Sequence, residues 1–116
     1  MRKRWLALLF LAPGAVADCP FSCTLSWDYP TEYVSGDVLN PSDLQYSSIY
    51  CDGIGEPMVQ VTAPITQFVF YPGLVPDGAH PCTVTVTDLA LKESAQSNTV
   101  IANVENPPPK APVLRI

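Results

Sequence analysis

The sequence has little positive charge. Only six of its 116 residues are Lys or Arg, and Arg2, Lys3 and Arg4 stand together at the N-terminus. All eleven acidic residues lie at or beyond Asp18, against three basic ones, so the chain from there on has a net charge of −8. Such a surface repels a phosphate backbone, which argues against nucleic acid as a partner.

Groups that bind metals or act in catalysis are also scarce. His80 is the single histidine, and without a tight Cys-x-x-Cys pair it makes a poor zinc ligand set. No nucleophile-bearing motif accompanies it, and in a turn between Ala79 and Pro81 it is expected to be solvated. The aspartates sit in or beside turns without the spacing of a calcium loop. We expect no catalytic residue, no metal, no cofactor and no enzymatic activity.

The apolar run over residues 5–11 is too short to span a bilayer. It follows the basic triplet and precedes Ala15, Val16 and Ala17, the small-residue pattern of a signal cleavage site. Residues 1–17 are therefore predicted to be a secretory signal, with the mature chain starting at Asp18. A buried N-terminal strand or helix is the alternative. The expected location is secreted or periplasmic, with no membrane contact after signal removal.

The chain has four cysteines. In an exported chain they predict two disulfides formed in an oxidising compartment. The spacing of Cys19, Cys23, Cys51 and Cys82 leaves three connectivities open.

Residues 82–88 carry the clearest strand signal. Cys82, Val84 and Val86 alternate with threonines, which is the period of a half-buried strand, and β-branched residues suit both faces of a sheet. Short segments of this kind, separated by Gly, Pro and Asp turns, predict an all-β sandwich without helices. The other predicted strands cover residues 23–27, 46–51, 58–62, 66–71 and 99–104.

Five pieces of the sequence, none specific alone, stand in an order that is specific as a set. They are Leu25-Ser26-Trp27 with Pro30-Thr31, the Gly36-Asp37 turn with Leu44, Ile49-Tyr50, Tyr71-Pro72-Gly73-Leu74, and Val84-Thr85-Val86 with Glu93-Ser94 and Ser97-Asn98. With them the chain resembles a fibronectin type III domain in its short bacterial or phage-encoded form, over residues 23–104.

This resemblance implies an immunoglobulin-like sandwich of about six to seven strands over residues 18–105. It makes Trp27 the core tryptophan of strand B, and strand A short or missing because so few residues precede strand B. It also places Cys51 and Cys82 on the neighbouring strands C and F, where they could form a disulfide, leaving Cys19 with Cys23.

The family's usual role implies a non-catalytic exported interaction or adhesion module that presents loops to a protein or glycan of unknown identity. Tyr29 and Tyr33, in and before the long loop that follows strand B, are the candidate binding-loop residues, with plain cover of the sandwich rim as the alternative. Two other functions stay open. One is an accessory domain of a secreted glycan-active system, and the other is a structural subunit that assembles by C-terminal strand addition.

The last eleven residues, 106–116, form a proline-rich C-terminal tail. Residues 111–116 are apolar enough to pair as a strand, either on the chain's own vacant sheet edge or on a neighbour's. The second case predicts self-association through the tail. A disordered terminus is the alternative.

Overall fold

The structure is a computed structural model that describes residues 15–20, by their backbone alone, and residues 23–116. Two packed β-layers make up the fold, with a 3-10 turn at Pro41–Asp43 as the helical element of the described residues. The strands are β1 (Ala15–Pro20), β2 (Cys23–Ser26), β3 (Leu44–Cys51), β4 (Val59–Thr62), β5 (Gln67–Phe70), β6 (Gly78–Asp88) and β7 (Val100–Glu105).

Strand β6 is the centre of the larger sheet, whose order is β1-β7-β6-β3-β4. It pairs antiparallel with β3 on one side and with β7 on the other. The alternation in residues 82–88 predicted this strand, and the structure begins it four residues earlier, at Gly78. Its inward residues meet those of β3 as Cys82 with Cys51, Val84 with Ile49 and Val86 with Ser47.

The smaller sheet consists of β2 and β5 in antiparallel register. Between the two sheets lies the main core, centred on Ile49, which is 1% exposed, and Phe70, which is 3% exposed. Burying one such side chain contributes roughly 1.5–3 kcal/mol. The other buried members of this core are Cys23, Cys51, Val61, Val75, Cys82, Ala102 and Val104.

The predicted sandwich and its six strands from residue 23 onward are confirmed, each within a few residues of its expected bounds. What the sequence did not predict is β1, a six-residue strand that pairs in parallel with β7 rather than with β2. Its first half, residues 15–17, coincides with the end of the predicted signal sequence. The rest of that prediction lies outside the described residues.

The structure joins Cys51 to Cys82 by a disulfide. The two residues lie directly opposite one another on β3 and β6, as the resemblance implied. Cys23 is also disulfide-bonded, while the side chain of Cys19, its predicted partner, lies outside the described part of the chain.

Beyond Asn106 the C-terminal tail belongs to no strand. Val113, Leu114 and Ile116 are 72%, 96% and 130% exposed, so the tail does not pair with its own domain. Docking on a neighbouring molecule stays a prediction.

Candidate binding groove

The open side of the sandwich, between β2 and β6, holds a long depression that we call the edge groove. It consists of two adjoining cavities of about 620 and 330 Å³. Trp27, Asp28, Val84 and Ser97 line both of them. The two cavities therefore form one continuous cleft, whose smaller part lies against Leu25 and Ser26 of β2.

The groove lies beside β2, next to the side on which that strand has no paired neighbour among the described residues; β1 lies close to β2 but pairs with β7. Within the described residues, β2 pairs with β5 and with no other strand. Trp27 donates its backbone N–H to the Thr66 carbonyl at 3.0 Å, and antiparallel pairs alternate between bonded and non-bonded types. The backbone groups of Thr24 and Ser26 accordingly point away from β5, along the groove.

The floor of the groove is apolar. Leu39, Leu44 and Val86 form a small buried cluster that lines the larger cavity together with Val84. Trp27 forms part of the wall, with its ring packed against the main core. A ligand with apolar side chains would find a matching surface here.

The opposite wall is a segment that runs beside β6 without forming a regular strand. Ser94 and Ser97 donate their backbone N–H groups to the carbonyls of Val86 and Val84, at 2.8 and 2.9 Å. Their hydroxyl oxygens in turn accept the N–H groups of Val86 and Val84, at 3.0 and 2.9 Å. These serines occupy the donors of β6, so β2 provides the open backbone edge of the groove.

The loop that carries Tyr33 borders the groove. Tyr33 lines the larger cavity and donates its hydroxyl to Asp43 Oδ2 at 3.2 Å. Partial burial and the nearby Asp43 carboxylate both raise the pKa of Tyr33. The neighbouring Val34 is fully exposed at the loop tip and lines the same cavity.

Tyr29, the other candidate binding-loop residue, does not line the groove. It packs against the Leu39 cluster, and its hydroxyl donates to the Ile65 carbonyl at 3.4 Å. Both tyrosines pack against that cluster, which fits the alternative that they cover the rim of the sandwich. Tyr33 also lines the groove. A binding role for either residue stays a prediction.

Acidic side chains predominate on the rim. Asp28, Glu32 and Asp88 line the larger cavity, with Lys92 as the basic residue there. Asp88 Oδ1 also accepts the backbone N–H groups of Ala90 and Lys92, both at 2.9 Å. The rim therefore favours a ligand that carries positive charge beside its apolar groups.

A polar cluster on the opposite face of the large sheet was not predicted from the sequence. Thr85, whose side chain points away from Val84 and Val86, donates to Glu93 Oε2 at 2.6 Å, and Tyr50 donates to the same oxygen. The hydrogen bond from Thr85, followed by that from Tyr50, lowers the pKa of Glu93 although burial opposes the shift. The cluster buries Thr85 to 3% exposure and ties residue 93 to the sheet.

The prediction that His80 is solvated is wrong, because His80 lies within β6 and is 7% exposed. Its Nε2 lies 2.6 Å from the Pro76 carbonyl, and its Nδ1 lies 3.0 Å from Asp52. Burial alone would lower the pKa of His80, but these two acceptors outweigh it, so that pKa is raised. The His80 ring links the β3–β4 turn to the segment that precedes β6.

Asn106 was likewise not predicted to matter. Its side chain accepts the Gly73 N–H at 2.8 Å and donates to the Val75 carbonyl at 2.8 Å. Its backbone N–H donates to Asp77 Oδ1 at 2.7 Å. The Asn-Pro pair at residues 106–107 signals a turn, but these partners lie 29 to 33 residues away. They fix the point at which the tail leaves the domain.

The described part of the chain holds neither a metal-binding cluster nor a membrane-spanning helix. Within residues 23–116, whose side chains the structure describes, no group of three His, Cys, Asp or Glu side chains could hold a metal ion. In the same part of the chain, no helix is long and apolar enough to cross a membrane.

No family model matches the sequence, and no curated protein does. The chain is similar to a solved structure of the fibronectin(III)-like modules of CbhA from Clostridium thermocellum. That similarity has a TM-score of 0.54 and 12% sequence identity, and it covers 83% of this chain and 93% of the other. At this identity the likeness concerns the fold alone. The chain has the fold of a fibronectin type III module.

Proposed function

We propose that this protein is an exported, non-catalytic interaction module that binds an extended segment of a partner protein in the edge groove. The observation that carries the proposal is the combination of an apolar floor with the open backbone edge of β2. A peptide strand added there would bond to Thr24 and Ser26 and place alternate side chains on the floor. Tyr33 and Val34 would contact the partner from the bordering loop.

Four features support export and the absence of catalysis. The Cys51–Cys82 disulfide suits an oxidising compartment, and residues 1–17 have the pattern of a signal sequence. The fold is that of modules that commonly act as scaffolds. His80, the residue best suited to proton transfer, has both ring nitrogens engaged by Asp52 and Pro76.

The proposal is tested by selecting ligands on the full chain from a random peptide library and, in parallel, from a glycan array. The Val34→Lys variant adds positive charge at the groove and should weaken the selected peptides. Ile54→Lys is the matched control, since Ile54 is 61% exposed in the β3–β4 turn, outside the groove. Both substitutions fall on exposed side chains, so neither should alter the melting temperature.

Selected peptides that bind the two variants equally well would contradict the edge groove as the binding site. Glycans that bind where no peptide does would replace the proposal with the recognition of sugars by the loops.

A further inference from the structure

The C-terminal tail carries apolar and basic side chains that complement the apolar floor and the acidic rim of the edge groove. Residues 107–116 contain Lys110 and Arg115, two of the three basic residues that follow Asp18, and no acidic residue. In an extended conformation Leu114 and Ile116 point to one side, and Arg115 points to the other. The apolar side matches the groove floor, and the basic side matches the acidic rim.

The apolar side chains of the tail are exposed to solvent, which favours contact with a partner surface. Leu114 and Ile116 are 96% and 130% exposed, although the domain has an apolar groove available. Large apolar side chains that are this exposed and close together commonly mark an interaction site.

The tail does not occupy the groove of its own molecule. After Asn106 the chain enters three consecutive prolines, which form a stiff, extended spacer and disfavour a tight turn back. Residues 107–116 form no strand, and Leu114 and Ile116 are exposed. These observations favour the groove of another molecule over the chain's own.

We propose that residues 111–116 of one molecule add as a strand to β2 in the edge groove of a second copy. Leu114 and Ile116 lie on the floor formed by Leu39, Leu44 and Val86, and Arg115 faces the rim carboxylates. This rests on the proposed function, because it names the occupant of the same groove. Two copies that exchange tails close a dimer, whereas one-way donation builds an open chain.

The test uses sedimentation velocity of the full chain over a range of concentrations. We expect association that weakens as ionic strength rises, because the charged rim contributes. Leu114→Asp should abolish it, since the substitution removes an apolar anchor and adds charge that the acidic rim repels. Ile54→Asp, at an exposed site outside the tail and the groove, should associate like the wild type.

A second measurement tests binding of the tail to the groove separately from self-association of the full chain. A labelled peptide of residues 107–116 is titrated into the Leu114→Asp chain and followed by fluorescence anisotropy. The same peptide with Asp in place of Leu114 should bind about tenfold to a hundredfold more weakly, the effect of losing one buried leucine. Val34→Lys in the receiving chain should also weaken binding, whereas Ile54→Lys should not.

Association that survives Leu114→Asp would overturn the inference, because the tail would then not be the contact. So would a full chain that stays monomeric at every concentration together with a peptide that does not bind. The proposed function has its own readout, since library peptides that bind in a Val34-dependent manner would support the groove even where the tail peptide fails.

Discussion

The indole N–H of Trp27 donates a hydrogen bond to Ser47 Oγ at 3.0 Å, and Ser47 is 0% exposed. This contact joins the end of β2 in the small sheet to the middle of β3 in the large one. Because Trp27 also lines the edge groove, the same side chain holds the two sheets together and shapes the candidate site.

Two substitutions of Trp27 should therefore destabilise the fold to different extents. Trp27→Ala removes the ring and the donor and should cost roughly 3–5 kcal/mol, a large part of a small domain's stability. Trp27→Phe keeps most of the packing but removes the indole N–H that donates to Ser47 Oγ. The loss of this hydrogen bond should lower the free energy of unfolding by roughly 1–3 kcal/mol. Urea denaturation measures both, and an alanine variant with a wild-type midpoint would show that the sheets do not depend on Trp27.

The Cys51–Cys82 disulfide should contribute roughly 2–4 kcal/mol, mainly by restricting the unfolded chain. The double variant Cys51→Ala/Cys82→Ala should melt at a markedly lower temperature than the wild type while Cys23 keeps its own bond. Peptide mapping under non-reducing conditions gives the connectivity. A fragment that joins Cys51 to Cys19 would refute the pairing.

Stability should fall as pH rises through the folded-state pKa of His80. That pKa is raised above its ordinary value of 6.5, so the protonated ring stabilises the fold fully below about that pH. Once the ring is neutral, one of its nitrogens loses the proton that it donates to Pro76 or Asp52. The midpoint of urea unfolding, measured across this pH window, should decline in the wild type.

His80→Gln should flatten that decline, because its side chain does not titrate. Lys92→Gln is a control that removes a positive charge elsewhere and should keep the slope. If the wild type shows no slope above pH 6.5, the ring is not held in its charged form.

Export should remove residues 1–17 and leave Asp18 as the first residue. This cut would divide β1 and leave the register pairs of Asp18, Cys19 and Pro20 with β7. Intact-mass analysis of protein recovered from the secreted or periplasmic fraction gives the answer directly. A mass that still includes residues 1–17 would show that β1 stays whole and that the segment is not a signal.

Most of the sandwich could be predicted from the sequence because its strands alternate locally, as in Cys82, Val84 and Val86. The disulfide pairing needed the resemblance, because spacing alone allows three arrangements. His80 was misread, since its immediate neighbours suggest a turn while Asp52 lies 28 residues away.

The vacant edge of β2 was expected, because few residues precede that strand. The pairing of β1 with β7 was not expected, and neither were the hydrogen bonds that hold Ser94 and Ser97 beside β6 as the far wall of the groove, because no local pattern shows them. Tyr33 was singled out because aromatic residues on long loops are frequent contact residues; the structure places it beside the groove, and its binding role stays a prediction. The role of Asn106 was missed because all of its partners are distant in sequence.

We propose that β2 is an open edge onto which a partner strand adds. Amide hydrogen exchange at Thr24 and Ser26, followed with and without a saturating peptide selected on the full chain, tests it most directly. We predict that the peptide slows exchange at these two amides and leaves the amides of β4, an edge strand of the other sheet, unchanged. A peptide that binds while Thr24 and Ser26 exchange as fast as before would contradict the claim.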